Sequence, residues 1–133
     1  MKISVVYITF KRPNDILESI DSVVKQKQFN DTEIIIIDND KASVLYKLLP
    51  SKPYIHYFKQ SRNLGVAEGR NEGVRKAKGD ILIFIDDDAY LNKEDALIHI
   101  RTLFSKRLNL GCVAFKIVNH YSQKVLPHEF PHP

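Results

Sequence analysis

One cysteine cannot form an internal disulfide, and Cys112 is the only one in this 133-residue chain. It sits within Gly111-Cys112-Val113-Ala114-Phe115, an apolar run that reads as a buried, inert thiol. No stretch of eighteen apolar residues occurs, so no transmembrane helix is expected. At the start, Lys2 precedes a short apolar run with no small-residue cleavage site, which reads as a first strand and not as a signal peptide. The chain has no basic block. The formal charge is only +4 and the lysines and arginines are scattered, so nucleic acid is not an expected partner. Such charges are solvated faces or a weak attraction to anionic substrates or lipid headgroups. G-x-G-x-x-G and G-x-x-x-x-G-K-S/T are both missing, which excludes the dinucleotide fingerprint and the P-loop. There is no internal repeat and no low-complexity linker. Together these features favour a cytoplasmic protein.

What remains is a patterned α/β chain. The hydrophobic fraction is 44%, enough to bury one core, and charged residues make up 27%. Apolar runs rich in β-branched residues mark strands at 3–8, 33–38, 54–58, 80–85 and 112–118. Continuous apolar strands suit a sheet covered on both faces. Between them, Pro13 opens a helix carrying Ile16, Leu17, Ile20, Val23 and Val24 at helical spacing. A short helix is expected over 43–49, ended by Pro50 and Pro53, a longer one over 63–78 with Gly79 as its stop, and another over 93–106. This alternation predicts a mainly parallel, Rossmann-like α/β sheet with helices on both faces and right-handed crossovers. The tail from Leu126 carries three prolines and no periodicity, and reads as extended or disordered. His128 and His132 on that tail are weak candidates for metal ligands.

Ligands of open α/β sheets bind beyond the carboxyl ends of the strands. Three polar clusters fall there: Thr9-Phe10-Lys11-Arg12 after the first strand, Asp38-Asn39-Asp40 after the second, and Asp86-Asp87-Asp88 after the fourth. Adjacent carboxylates repel, and a hard cation such as Mg²⁺ or Mn²⁺ relieves that repulsion while bridging to substrate phosphates. The alternative is a solvated loop leading to a helix cap near Asn92. Asp38 is either an acceptor for a nucleobase or ribose, or a turn residue. Phe10 either stacks on a base or is a core or edge phenylalanine. Gly65, Gly69 and Gly73 recur every four residues on one helix face, so that face packs closely against the sheet or against a ligand. Arg70 beside them either meets a phosphate bidentately or makes a surface salt bridge.

Taken in order, these elements resemble the family-2 inverting glycosyltransferases of the A-type fold. Thr9-Phe10-Lys11-Arg12-Pro13 is similar to the family's T-Y-N-R-P, and Glu33 to Asn39 to its E-I-I-V-V-D-D/N. Asn63-Leu64-Gly65 with Gly69-Arg70-Asn71 and Gly73 matches N-x-G followed by A-R-N-x-G. Ala77 to Asp80 and Phe84 to Asp88 match A-x-G-D and F-L-D-D-D. The resemblance spans residues 3 to about 118. It implies a nucleotide-sugar-binding domain over 1–120 with a tail over 121–133, a UDP-sugar donor, and Mg²⁺ or Mn²⁺ as cofactor. Thr9 and Phe10 would line the base pocket, Asp38 would read the base, and Asp86 or Asp87 would meet the ribose. Asp88 would be the main metal ligand with Asp86 beside it, while Arg12, Gly65 and Arg70 would lie on the nucleotide path. The acceptor would be a saccharide or glycolipid, met at the inner membrane face by peripheral association.

There are departures from the family pattern. Asp40-Lys41-Ala42-Ser43 replaces the common G-S-x-D loop. No counterpart of the family's downstream carboxylate base is visible, and Glu129 is a poor candidate. The expectation is that the acceptor half, or a partner chain, lies outside this sequence. Two other readings remain: a nucleotide-sugar-binding module without turnover, and a phosphoryl-transfer or receiver-type domain. The second is disfavoured by Thr9 where receivers place acidic residues, and by Ala89-Tyr90 after the aspartates.

Overall fold

The computed structural model describes residues 1–125. His128, Glu129 and His132 lie outside them. The chain divides into two compact units at Arg101 and Thr102.

In the first unit, four strands form one parallel sheet: β1 (Ile3–Thr9), β2 (Thr32–Asp38), β3 (Ile55–Lys59) and β4 (Ile81–Phe84), in the order β3-β2-β1-β4. β1 and β2 are the central strands, and all seven residues of β2 are buried. Its four consecutive isoleucines therefore face protein on both sides, as the continuous apolar run predicts. The chain progresses from β1 through β2 to β3 and then returns to the far side of β1 for β4. The reversal places a topological switch point between β1 and β4.

Helices cover both faces. Helix α1 (Pro13–Val24) starts on Pro13, whose fixed φ suits the first turn, and buries Ile16, Ser19, Ile20 and Val23 along one stripe. Ser19 Oγ hydrogen-bonds the Tyr7 hydroxyl at 2.9 Å, which sets α1 against the face that Tyr7 occupies. Helix α2 (Gly65–Lys76) covers the opposite face, because a Cβ on Gly69 would lie 3.1 Å from Ile8, and one on Gly73 only 2.3 Å from Val6. The glycine stripe is thus explained by helix–sheet packing. Gly65 differs: a Cβ there would meet nothing within 4 Å, but its φ of +73° requires glycine at the helix start.

Helix α3 (Ala96–Lys106) begins at the first residue of its apolar pattern, later than the expected start at 93. The buried Gln26 side chain supplies the reason. Its Oε1 accepts from the Ala96 N–H at 2.9 Å, capping the helix from a distant part of the chain, while its Nε2 donates to the Lys93 carbonyl. Arg101 then donates to the carbonyls of Met1, Gln28 and Asn30 and to Thr32 Oγ1.

At the amino-terminal end of the sheet, Glu33 gathers three donors: Lys2 Nζ at 2.8 Å, Ser4 Oγ at 2.6 Å and the Lys78 N–H at 2.7 Å. Burial opposes its ionisation, but these hydrogen bonds and the charge of Lys2 outweigh burial and hold the carboxyl at about 2. Gly79 belongs to this clamp and not to a helix terminus. A Cβ there would approach the Ser4 backbone nitrogen to 2.6 Å.

Two expectations fail. Cys112–Val118 forms no strand, and Cys112 is exposed, so it is not a buried thiol. An apolar, β-branched run makes a strand only where another strand offers its hydrogen-bonding edge. The second unit, which begins at Thr102, contains no strand among its described residues. Instead Asn119 organises a tight turn, its N–H bonding the Lys124 carbonyl and its Oδ1 accepting from Tyr121 and Ser122. The expected helix over 43–49 shrinks to one 3₁₀ turn at Leu45–Lys47, before Pro50. No helix among the described residues is long and apolar enough to cross a membrane.

Candidate functional site

The parallel register aligns the carboxyl ends of the central strands, with Thr9 beside Asp38 and Asp38 beside Lys59. The chain beyond each end has to turn away, and the polar residues gather there. After β1, Lys11 adopts a φ of 59°, a left-handed turn between the strand and α1.

Across the switch point, Thr9 Oγ1 donates to Asp87 Oδ2 at 2.7 Å. Arg12 completes this group, placing its guanidinium 3.4 Å from Asp87 Oδ1 and 2.5 Å from Asp88 Oδ2. Asp87 is buried, and burial pushes its carboxyl up despite the opposing pull of Thr9 and Arg12. Its neighbours are exposed: the side chains of Asp86 and Asp88 keep 70% and 55% of their accessible surface. The loop that follows is fixed to α1, since Ser19 Oγ bonds the Ala89 carbonyl and Ser22 Oγ accepts from the Leu91 N–H.

Asp86 turns to a different partner, Arg70 of α2, at 3.0 Å. The same guanidinium lies 5.7 Å from the centre of the Phe84 ring. The surface salt bridge weighed for Arg70 is therefore present. Phe10 is 43% exposed, with Lys11 Nζ 5.1 Å from its ring centre, so it is not a core residue.

Asp38 forms a third group. Its side chain is buried, with Oδ1 accepting from the Asp40 N–H at 3.0 Å and Oδ2 from the Tyr57 hydroxyl at 2.8 Å. Next to it, the buried Asn39 donates to the Gly65 carbonyl and accepts from the Leu64 N–H, which attaches the start of α2 to the end of β2. Asn39 is expected at this edge only as a member of the Asp38-Asn39-Asp40 cluster, and Tyr57 is not expected there at all. Tyr57 lies mid-strand, and only the β2–β3 pairing carries its hydroxyl to Asp38. A cleft of about 250 Å³ beside Tyr57, lined also by Tyr46, Leu49 and Ile55, lies next to this group and not over the aspartates.

The arrangement suits a hard divalent cation in one particular way. No three His, Cys, Asp or Glu side chains among the described residues are grouped to hold a metal. Exposed carboxylates on Asp86 and Asp88 nevertheless supply the oxygen donors that Mg²⁺ and Mn²⁺ prefer. These ions commonly take one or two carboxylates and complete their shell with water and substrate phosphates. The donor set fits a metal that arrives with a phosphorylated ligand.

Comparison with known proteins decides the family: residues 4–127 match glycosyl transferase family 2. The chain belongs to that family. An uncharacterized protein of Haemophilus influenzae is 36% identical over 137 residues, covering 98% of this chain and 74% of that one. The uncharacterized glycosyltransferase YfnE of Bacillus subtilis is 32% identical over 130 residues, 93% of this chain but 33% of YfnE. The chain therefore spans about a third of that relative. Among solved structures, S. aureus TarS 1–349 in complex with UDP-GlcNAc aligns with a TM-score of 0.70 at 22% identity, over 80% of this chain and 32% of TarS. The mannosyltransferase PcManGT of Pyrobaculum calidifontis, in complex with GDP-Man and Mn²⁺, aligns at 0.67 and 20% identity, over 78% and 32%. Those likenesses establish the A-type glycosyltransferase fold of the sheet and its helices.

Proposed function

We propose that this chain binds the nucleotide-diphospho-sugar donor, a UDP-sugar, of a metal-dependent inverting glycosyltransferase. The observation that carries the reading is the joining of Thr9 and Arg12 to Asp87 and Asp88 across the β1–β4 switch point. That is where open α/β sheets receive ligands. The complexes of TarS with UDP-GlcNAc and of PcManGT with GDP-Man and Mn²⁺ support the same ligand class.

In this reading Asp38 accepts a hydrogen bond from the base and the exposed Phe10 stacks on it. Asp86 or Asp87 meets the ribose. Arg12 and Arg70 balance the diphosphate, and Gly65 keeps the start of α2 open beside it. Asp88, with Asp86, holds Mg²⁺ or Mn²⁺, which when bound supplies positive charge to the departing diphosphate. An acceptor hydroxyl displaces that diphosphate at the anomeric carbon with inversion, after a general base takes its proton. No described residue is assigned as that base, because this reading already gives Asp38 to the nucleobase, Asp86 or Asp87 to the ribose and Asp88 to the metal. The acceptor, a saccharide or glycolipid, and its meeting at a membrane surface belong to the same proposal.

Calorimetry with UDP tests it. Binding that requires Mn²⁺ and is lost in Asp88→Ala is the expected result, and equal affinity in EDTA for both proteins would overturn the metal role.

A further inference from the structure

The group around Asp38 holds more information than a base reader alone needs. A carboxylate has two oxygens with about two acceptor sites each. Here Oδ1 accepts from the Asp40 backbone and Oδ2 from the Tyr57 hydroxyl, 19 residues away on β3. Both ends of the carboxylate plane are held, so the side chain cannot turn about its last torsion without losing a donor. The Tyr57 hydroxyl is itself held, being packed beside the Asp38 carboxylate and pushed up to about 12, by burial first and by Asp38 second. Its ring also meets Tyr46, with centres 6.3 Å apart.

We propose that Tyr57 is a positioning residue that selects the nucleobase, by locking Asp38 as a fixed acceptor for a ring N–H. This rests on the reading that Asp38 faces the base. Uracil presents a ring N–H donor at its pairing edge. Cytosine presents a ring acceptor there, with an amino donor displaced to one side. A carboxylate held at both oxygens faces the first and opposes the lone pair of the second. Removing the tyrosine hydroxyl frees Oδ2 to turn toward the displaced amino group. Discrimination is then lost, although the acceptor remains.

The test measures UDP and CDP binding to the full chain with Mn²⁺ present. Wild type is expected to prefer UDP by roughly tenfold or more, as expected when the mismatched base leaves a buried polar group unpaired. In Tyr57→Phe the preference should fall to about threefold or less. In an Asp38→Ala background the same change should move neither affinity, since the tyrosine acts only through Asp38. Asp38→Asn is a second, independent variant. The Asp40 N–H selects the amide oxygen, so the amide nitrogen occupies the Tyr57 side and offers a donor to the ligand. Preference should then move toward CDP. A purely packing role for Tyr57 would weaken both nucleotides equally, and an unchanged UDP/CDP ratio in Tyr57→Phe overturns the inference alone. Absence of UDP binding by wild type overturns the donor-site reading, and this inference with it.

Discussion

The Thr9 hydroxyl donates a hydrogen bond to Asp87 across 2.7 Å, joining residues 78 positions apart at the point where the strand order reverses. Asp87 is buried and its carboxyl is pushed up, so this donor compensates part of the burial. Thr9→Val keeps the shape and removes the donor. It should lower stability by about 1–3 kcal/mol and weaken UDP binding, as read by urea melts and calorimetry. Unchanged stability would mean that Asp87 finds water or another donor.

Metal binding should be conditional. Among the described residues Asp86 and Asp88 are exposed and no three possible ligands are grouped to hold a metal, so Mn²⁺ alone should bind weakly. UDP should raise its affinity by roughly 5- to 150-fold, and linkage requires the reciprocal effect of Mn²⁺ on UDP. Titrating each in the presence and absence of the other measures both legs. Tight Mn²⁺ binding without nucleotide would reveal a ligand set that Asp86 and Asp88 alone do not provide.

Sugar transfer by these 133 residues should be slow. Among the described residues, Asp38, Asp86, Asp87 and Asp88 are already assigned to donor and metal, and a well-placed general base contributes roughly 10²–10⁴-fold. UDP-sugars incubated with Mn²⁺ and a panel of acceptors should therefore give donor hydrolysis at most. Rapid transfer would show that one of the engaged carboxylates is released on acceptor binding, with Asp87 the first to mutate.

Gly73→Ala should destabilise the protein by about 1–3 kcal/mol, the usual cost of overpacking, because the new methyl meets Val6 at 2.3 Å. Val6→Ala in the same chain should recover part of the loss. If the double variant is no better than the sum of the singles, the clash with Val6 is not the cause.

Glu33 gives the fold an acid limit. Its carboxyl is held at about 2 against an ordinary 4.5. A depressed carboxyl contributes stability that is complete above the unfolded value and is lost as pH falls toward the folded one. Stability should therefore decline from about pH 4.5 to about pH 2 more steeply in wild type than in Glu33→Gln, by thermal melts across that range. Parallel curves would remove Glu33 as the source.

The sheet and the site were legible to different depths. Ile34 to Ile37 and Ile3 to Ile8 state two buried strands, and the strand-end rule places Thr9, Asp38 and Asp86 to Asp88 on one edge without any structure. Gln26, Arg101 and Tyr57 were not legible, because each acts on groups far along the chain and local periodicity does not encode which distant carbonyl or carboxylate will be nearest. Cys112 to Val118 shows the converse. Its pattern states a capacity to pair but not whether the chain brings the segment alongside another strand. The glycines fall between: their spacing gave the face, and only Val6 and Ile8 show what that face touches.

The clamp of Lys2, Ser4, Glu33 and Lys78 lies at the opposite end of the sheet from Thr9, Asp38 and the aspartates. The clamp and the residues that would choose the ligand thus occupy opposite ends of the same two strands, Ser4 and Thr9 on β1 and Glu33 and Asp38 on β2. Within the turns that follow, Phe10, Lys41, Asp86 and Asp88 are exposed, whereas Asn39 and Asp87 are buried and bonded to α2 and to β1. A designer seeking a different donor would therefore vary the exposed positions and leave Asn39 and Asp87 as the anchors around which they are arranged.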